Sequence, residues 1–225
     1  AFRDATNLVK IDLNMIEELG FKAFANTGLE EVIMPNNLTY IEEQVFANCD
    51  KLRRVVISND CCNFDYSNIF YQSYHIEEIV VEDLNKYYLY ENGVLYNSTK
   101  TVLYAYNDKS SSEFVIPEGV EKIALNAFYQ NTTLEKVVLP STLKAIGDKA
   151  FYGCTSLKTF VFLSDTAPAL EGLYQEGMLY PYANFVDYIE LVPENGLEVT
   201  IYYNGDESYQ TIIWQSYFKN YEVIE

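Results

Sequence analysis

The sequence holds a single histidine, His75, and a single tryptophan, Trp214. One imidazole excludes every metal site built on two of them. It also leaves only one base for any Ser-His or Cys-His pair. Basic residues are scarce as well: 15 Lys and Arg stand against 33 Asp and Glu, for a formal net charge of -18. A field of that sign repels phosphate backbones, so nucleic acid is not an expected partner. No apolar run approaches the ~20 residues that a membrane span needs, so no membrane insertion of this segment is expected. The opening residues lack the basic start and apolar block of a signal peptide. P-loop, G-x-G-x-x-G and H-E-x-x-H motifs are absent. The four cysteines, at 49, 61, 62 and 154, do not read as a disulfide framework in a chain of 225 residues. Hydrophobic residues make up 49% of the chain, which places it among globular rather than disordered proteins.

What the chain does have is repetition. "KAFANTGLEEVIMP" (22–35) aligns with "NAFYQNTTLEKVVLP" (126–140) and with "KAFYGCTSLKTFVF" (149–162). Phe24, Phe46 and Phe70 lie 22 and 24 residues apart, and Phe128 and Phe151 lie 23 apart. Leu29, Leu52 and Ile76, then Leu134 and Leu157, keep the same beat, as do Pro117 and Pro140. One repeat reads L-x-x-V-x-I-P, a turn, an Ile, then A-F, and a short turn to the next Leu. Apolar residues at the first, fourth and sixth places predict a short strand with one buried face. The A-F segment is too short for a free helix and suits a single turn or 3₁₀ piece on the opposite side. A unit of this size cannot bury its own apolar face, whereas stacked units share a continuous core. Spacing alone therefore predicts an α/β repeat solenoid of leucine-rich-repeat type with a parallel sheet on one side.

The wording of the repeats adds a family. "IPEGVEKIALNAFYQNTTLEKVVLPSTLKAIGDKAFYGCTSLKTFVF" (116–162) resembles the BspA-like leucine-rich repeats, and about five repeats of the chain carry the likeness. That family occurs mainly in secreted and surface proteins of gut and oral bacteria and in some parasitic protists. The resemblance implies a right-handed solenoid, an extracellular location, a role in adhesion or host contact, no enzymatic activity and no cofactor.

The pattern predicts one domain over 1–225: N-terminal repeats over 1–81, an inserted β-meander over 82–113, C-terminal repeats over 114–163, and an irregular loop and cap over 164–225. Asn92-Gly93, between two β-rich runs, is a hairpin signal, and a second reversal is expected at 97–101. The tail resembles the family's C-terminal β/α cap, with Trp214, Tyr217 and Phe218 closing the core; such an end unit protects an open edge. Ala1-Phe2 followed by Leu8 predicts that the chain starts inside a repeat, either as a fragment of a longer protein or with an upstream cap missing.

Against this frame, most chemically suggestive residues read as structural. Cys49 and Cys154 fall at the small or polar position after A-F. Strand spacing puts them on the order of 19 Å apart or more, beyond disulfide reach. Cys61-Cys62 leaves plain fillers, a vicinal disulfide and a reactive thiol as alternatives. His75 falls at an exposed turn. The Glu30-Glu31, Glu42-Glu43 and Glu77-Glu78 pairs recur with the repeat as a solvated face rather than as acid-base pairs.

One column points to a partner. The fifth strand position should face outward between two buried ones. It reads Asp12, Ile33, Val56, Val80, Val115, Val138 and Val161. The third position reads Lys10, Glu31, Arg54, Glu78, Glu113, Lys136 and Thr159, with alternating signs that can pair across strands. A row of β-branched residues on a solvated sheet is where a protein of a host or neighbouring cell would sit. The same row also satisfies strand propensity and lateral packing alone. Two further readings stand beside partner binding: a structural spacer, and a carbohydrate-binding accessory module that uses some of the 21 tyrosines.

Overall fold

The structure is a computed structural model that describes residues 1–171, 200–210 and 220–223. It has two compact units, Ala1–Thr99 and Lys100–Glu225. In the first, β1 (Glu18–Leu19), β2 (Glu31–Met34), β3 (Tyr40–Ile41), β4 (Arg54–Ile57), α1 (Tyr66–Ile69), β5 (Glu78–Val81), β6 (Tyr88–Glu91) and β7 (Val94–Asn97) follow in order. Strands β2, β4 and β5 pair in parallel, with Val32, Val55 and Ile79 in register. A second parallel row joins β1 to β3. Strands β6 and β7 pair antiparallel across Asn92-Gly93, whose φ angles of 48 and 78° fit a type I′ turn.

The second unit repeats this plan. It contains β8 (Val102–Tyr106), β9 (Glu113–Val115), β10 (Lys122–Ile123), β11 (Lys136–Leu139), β12 (Ala145–Gly147), β13 (Thr159–Phe162), β14 (Ala169–Glu171), β15 (Thr200–Tyr203) and β16 (Asn220–Val223). One parallel row runs β9-β11-β13-β15-β16, and another joins β8, β10, β12 and β14. Several coils thus have two short strands, the second at a segment such as "K-I" or "A-I-G", where the sequence shows only one or two apolar residues, whereas α1 stands in its place between β4 and β5. Strand β8, within the stretch read as an insert, runs parallel to β10, with Leu103 opposite Ile123. Trp214, Tyr217 and Phe218 lie outside the described residues.

The first repeat departs from expectation. Residues 8–13 form no strand, and the exposed Asp12 carboxylate instead accepts a 2.9 Å hydrogen bond from the Asn14 N–H. This is an Asx turn, which competes with a strand ladder. Asp12 therefore does not belong to the outward row.

The core is made by register. Val32, Met34, Leu52, Val55 and Ile57 in the first unit, and Val137, Leu139, Phe160 and Phe162 in the second, are buried as the first-fourth-sixth pattern requires. Opposite them the A-F phenylalanines stack coil on coil. Ring centroids are 5.3 Å apart for Phe2–Phe24, 5.5 Å for Phe24–Phe46 and Phe46–Phe70, and 4.6 Å for Phe128–Phe151. Tyr106 extends the second stack, 5.1 Å from Phe128.

The A-F turns carry a periodic backbone feature. Lys22 and Asn26 flank Phe24 at φ 54 and 59°; Gln44 and Asn48 flank Phe46 at 56 and 54°. Asn126 and Gln130, then Lys149 and Gly153, do the same around Phe128 and Phe151. Left-handed residues two before and two after each of these phenylalanines prevent a helix from forming there. They also turn alternate N–H groups toward the next coil: the amides of 22, 24 and 26 donate to the carbonyls of 43, 45 and 47. Among the described residues, helix is consequently limited to one turn at α1 and a 3₁₀ turn at Glu207–Gln210, so the α part of the expected α/β class is nearly absent.

Two substitutions test this account by chemical denaturation. Gln44→Gly should raise stability by about 0.5–1 kcal/mol, because relief of a left-handed non-glycine residue outweighs the entropy of a glycine, while Gln44→Ala should not. Gly147→Ala should lower it by about 1–3 kcal/mol. A Cβ there would lie 2.5 Å from the Leu125 nitrogen and 2.8 Å from the Ala124 carbonyl carbon, both backbone atoms that cannot step aside.

Candidate interaction surface

Strand alternation sends the third and fifth residues of each first-row strand out of the core. In the first unit, Ile33, Val56 and Val80 are register partners across β2, β4 and β5. In the second, Val115, Val138 and Val161 are register partners across β9, β11 and β13. Ile33 is 46% and Val115 57% exposed, whereas Val56 is only 8% exposed. Val56 stands between Ile33 and Val80 at the strand spacing of ~4.8 Å, and two β-branched neighbours at that distance cover most of it. The row is apolar, but its middle residue in the first unit is not open to water as expected. Val80, Val138 and Val161 are half-buried.

Register also extends the second unit's row beyond the predicted residues. Val161 is opposite Tyr202, and Tyr202 is opposite Glu222. The repeat pattern read from the sequence ends at Phe162 and so does not reach Tyr202.

Beside the apolar row runs a ladder of charge. The Arg54 guanidinium contacts the carboxylate of Glu31 on one side and that of Glu78, at 3.0 Å, on the other. These hydrogen bonds, Glu78's foremost, hold Arg54 further above its ordinary pKa. Lys136 pairs with Glu113 at 2.8 Å. One place nearer the strand start, Arg53 approaches Glu77 at 3.8 Å and Lys158 meets Glu135 at 3.1 Å. All are cross-strand neighbours at least one-third exposed, the class of pair that contributes from nothing to about 1 kcal/mol. Their weight is in fixing the direction in which each charge points.

The cysteines resolve into structural roles. The position three after each phenylalanine is occupied by Thr27, Cys49, Ser73, Asn131 and Cys154, all buried. Cys49 Sγ donates to the Phe24 carbonyl at 3.3 Å, Ser73 Oγ to that of Phe46 at 2.6 Å, and Cys154 Sγ to that of Phe128 at 3.0 Å. Asn131 Nδ2 donates to the Asp108 carbonyl at 2.8 Å. Cys49, Ser73, Asn131 and Cys154 are therefore donors to the neighbouring coil, not merely small fillers, whereas Thr27 Oγ1 donates within its own turn to the Phe24 carbonyl at 2.8 Å. Asn26 and Asn48, one place earlier, are left-handed turn residues instead. Burial pushes the Cys154 thiol up to about 12 and raises Cys49 as well. All four cysteines are free thiols. Cys61 is buried, and half-buried Cys62 is held below its ordinary range by a hydrogen bond from Cys61. His75 is exposed at its turn. Among the described residues no group of three His, Cys, Asp or Glu is placed to hold a metal ion, and no helix is long and apolar enough to cross a membrane.

Thiolate fraction and access control alkylation. Iodoacetamide applied to the native chain at pH 8 should modify Cys62 first. Cys49, Cys61 and Cys154 should react only after unfolding, as peptide mass mapping would show. Early modification of Cys154 would contradict its assigned hydrogen bond.

The repeat geometry has matches among known proteins. A family model described as "BspA type Leucine rich repeat region" matches six copies, over residues 1–102 and 99–175. The crystal structure of the pneumococcal vaccine antigen PcpA is similar to this chain at TM-score 0.51 and 16% identity, covering 92% of this chain and 70% of that one. A leucine-rich repeat protein from Eubacterium ventriosum matches at TM-score 0.47 and 24% identity, covering 69% of this chain and 54% of its own. A leucine-rich cell surface protein from Faecalibacterium prausnitzii matches at TM-score 0.44 and 18% identity, covering 94% of this chain and 52% of its own. The chain thus spans about half the length of the latter two proteins. No curated protein matches the sequence. With the family model matching from residue 1 to residue 175, the chain belongs to the BspA-type leucine-rich-repeat family and folds as its β-solenoid.

Proposed function

We propose that this chain is a non-catalytic binding and adhesion module of a secreted or cell-surface bacterial protein, and that it contacts a host or neighbouring-cell extracellular protein through its outward sheet positions. Leucine-rich-repeat solenoids serve as protein-interaction or structural modules, and membership of that family sets the class. The observation that carries the reading is the β-branched row on regular parallel strands. Ile33, Val56 and Val80 in the first unit, and Val115, Val138 and Val161 in the second, are held in register beside oriented charges. Glu31, Arg54 and Glu78 flank the first set, and Lys136 flanks the second. A surface of this kind offers apolar area whose ordering cost was already met in folding. Extracellular placement draws on membership of the BspA-type family. The resemblance also contributes the right-handed winding, the inserted meander and the C-terminal β/α cap.

The reading is tested by changing Ile33, Val80 and Val138 together to Lys. Outward lysines leave the core untouched, so the thermal midpoint should stay within a few degrees. Capture of partners from host extracellular-matrix proteins should be lost. Undiminished capture by the folded triple variant would remove the row from the binding surface.

A further inference from the structure

We infer that the sheet face of the first unit receives an extended partner segment in which basic and β-branched residues alternate; the inference rests on the sheet-face reading above and specifies the chemistry selected there. The apolar row Ile33, Val56, Val80 has two rows of charge beside it, Glu30, Arg53, Glu77 and Glu31, Arg54, Glu78. The register of β2, β4 and β5 centres Arg54 between two glutamates. Arg54 is engaged on both sides, by Glu31 and Glu78, and Arg53 by Glu77. An arriving anion therefore finds each guanidinium already facing a carboxylate.

An arriving cation finds the opposite. Four glutamates face two arginines, and exposed Glu30 has no ion-pair partner among the described residues. The surplus is negative, in a chain whose overall charge has the same sign. The second unit is the internal comparison. Beside Val115, Val138 and Val161, two lysines and two glutamates form the pairs Lys136–Glu113 and Lys158–Glu135, at 2.8 and 3.1 Å, and these balance. Equivalent apolar rows thus sit in different charge settings, and only the first selects a sign. A segment suited to it places β-branched side chains on the row and Lys or Arg over the glutamates. An extended chain running between the rows meets this with period-two alternation, because its successive side chains leave on opposite sides.

The probes are three fluorescent peptides, of alternating Val-Lys, Val-Ser and Val-Glu, titrated by anisotropy against the full chain. Val-Lys should bind, and more weakly as salt rises from about 20 to 150 mM. Glu30→Gln with Glu77→Gln should weaken it roughly two- to fivefold. Glu17→Gln with Glu18→Gln removes the same charge from the other strand row and should leave binding unchanged. Ile33→Asp should weaken binding although it adds negative charge. Thermal unfolding checks that each variant is folded.

Equal weakening by the two Gln pairs would reduce the effect to a diffuse field and overturn the inference. Val-Ser or Val-Glu binding as well as Val-Lys, still sensitive to Ile33→Asp, would overturn the cationic class and leave the sheet face standing. Binding indifferent to Ile33→Asp would sink both. Absence of binding by all three peptides would overturn the inference.

Discussion

Backbone hydrogen bonds passed from each coil to the next are the constraint on which the rest of this fold depends. A coil of about two dozen residues with two strands of two to five residues cannot satisfy its own amides, so it must lend them to its neighbours. The first strand row, the second strand row and the A-F turn each do so. At the A-F turn the transfer requires left-handed residues two positions either side of the phenylalanine, because only that backbone aims alternate N–H groups at the next coil. The phenylalanine stack and the buried donors three residues later occupy the interior side of the same turn. Side-chain packing, turn conformation and backbone pairing are therefore one arrangement rather than three.

Once the register is locked, a column of the sequence becomes a row in space. That is why Ile33, Val56 and Val80 meet, and why Arg54 reaches two carboxylates contributed by strands 23 and 24 residues away. It also explains the uneven exposure. A β-branched residue flanked on both sides by others is covered by them, so Val56 adds more to the rigidity of the row than to its accessible area. The open area belongs to Ile33 and Val115.

What was legible in the sequence follows from the same logic. Side chains that meet their equivalents in the next coil recur, and recurrence is visible: the leucine beat, the A-F beat and the outward valines could all be read. The left-handed turn residues could not. Lys22, Gln44, Asn126 and Lys149 share a backbone conformation but no side-chain chemistry, since the surrounding hydrogen bonds impose the φ angle at a cost of about 1–2 kcal/mol each for a non-glycine residue. The donor column was partly legible. Thr27, Cys49, Ser73, Asn131 and Cys154 look unrelated until their common task, donating a hydrogen bond, is known. Strand β8 was hidden because Tyr106, rather than an A-F pair, supplies the ring that stacks on Phe128.

Specificity in such a surface has to come from what varies between equivalent positions. Valine recurs in the outward row, and an apolar row by itself attracts any complementary apolar side chain. The charged row beside it does vary: it is acid-base-acid in the first unit and acid-base-threonine in the second, where it continues to Thr200 and Asn220. Because each charge is oriented by a cross-strand partner, changing one residue changes the pattern that a ligand meets without disturbing the strand beneath. A repeat protein can in this way keep one core and alter what it recognises, since the residues that hold coil to coil point inward and those that face a partner point out.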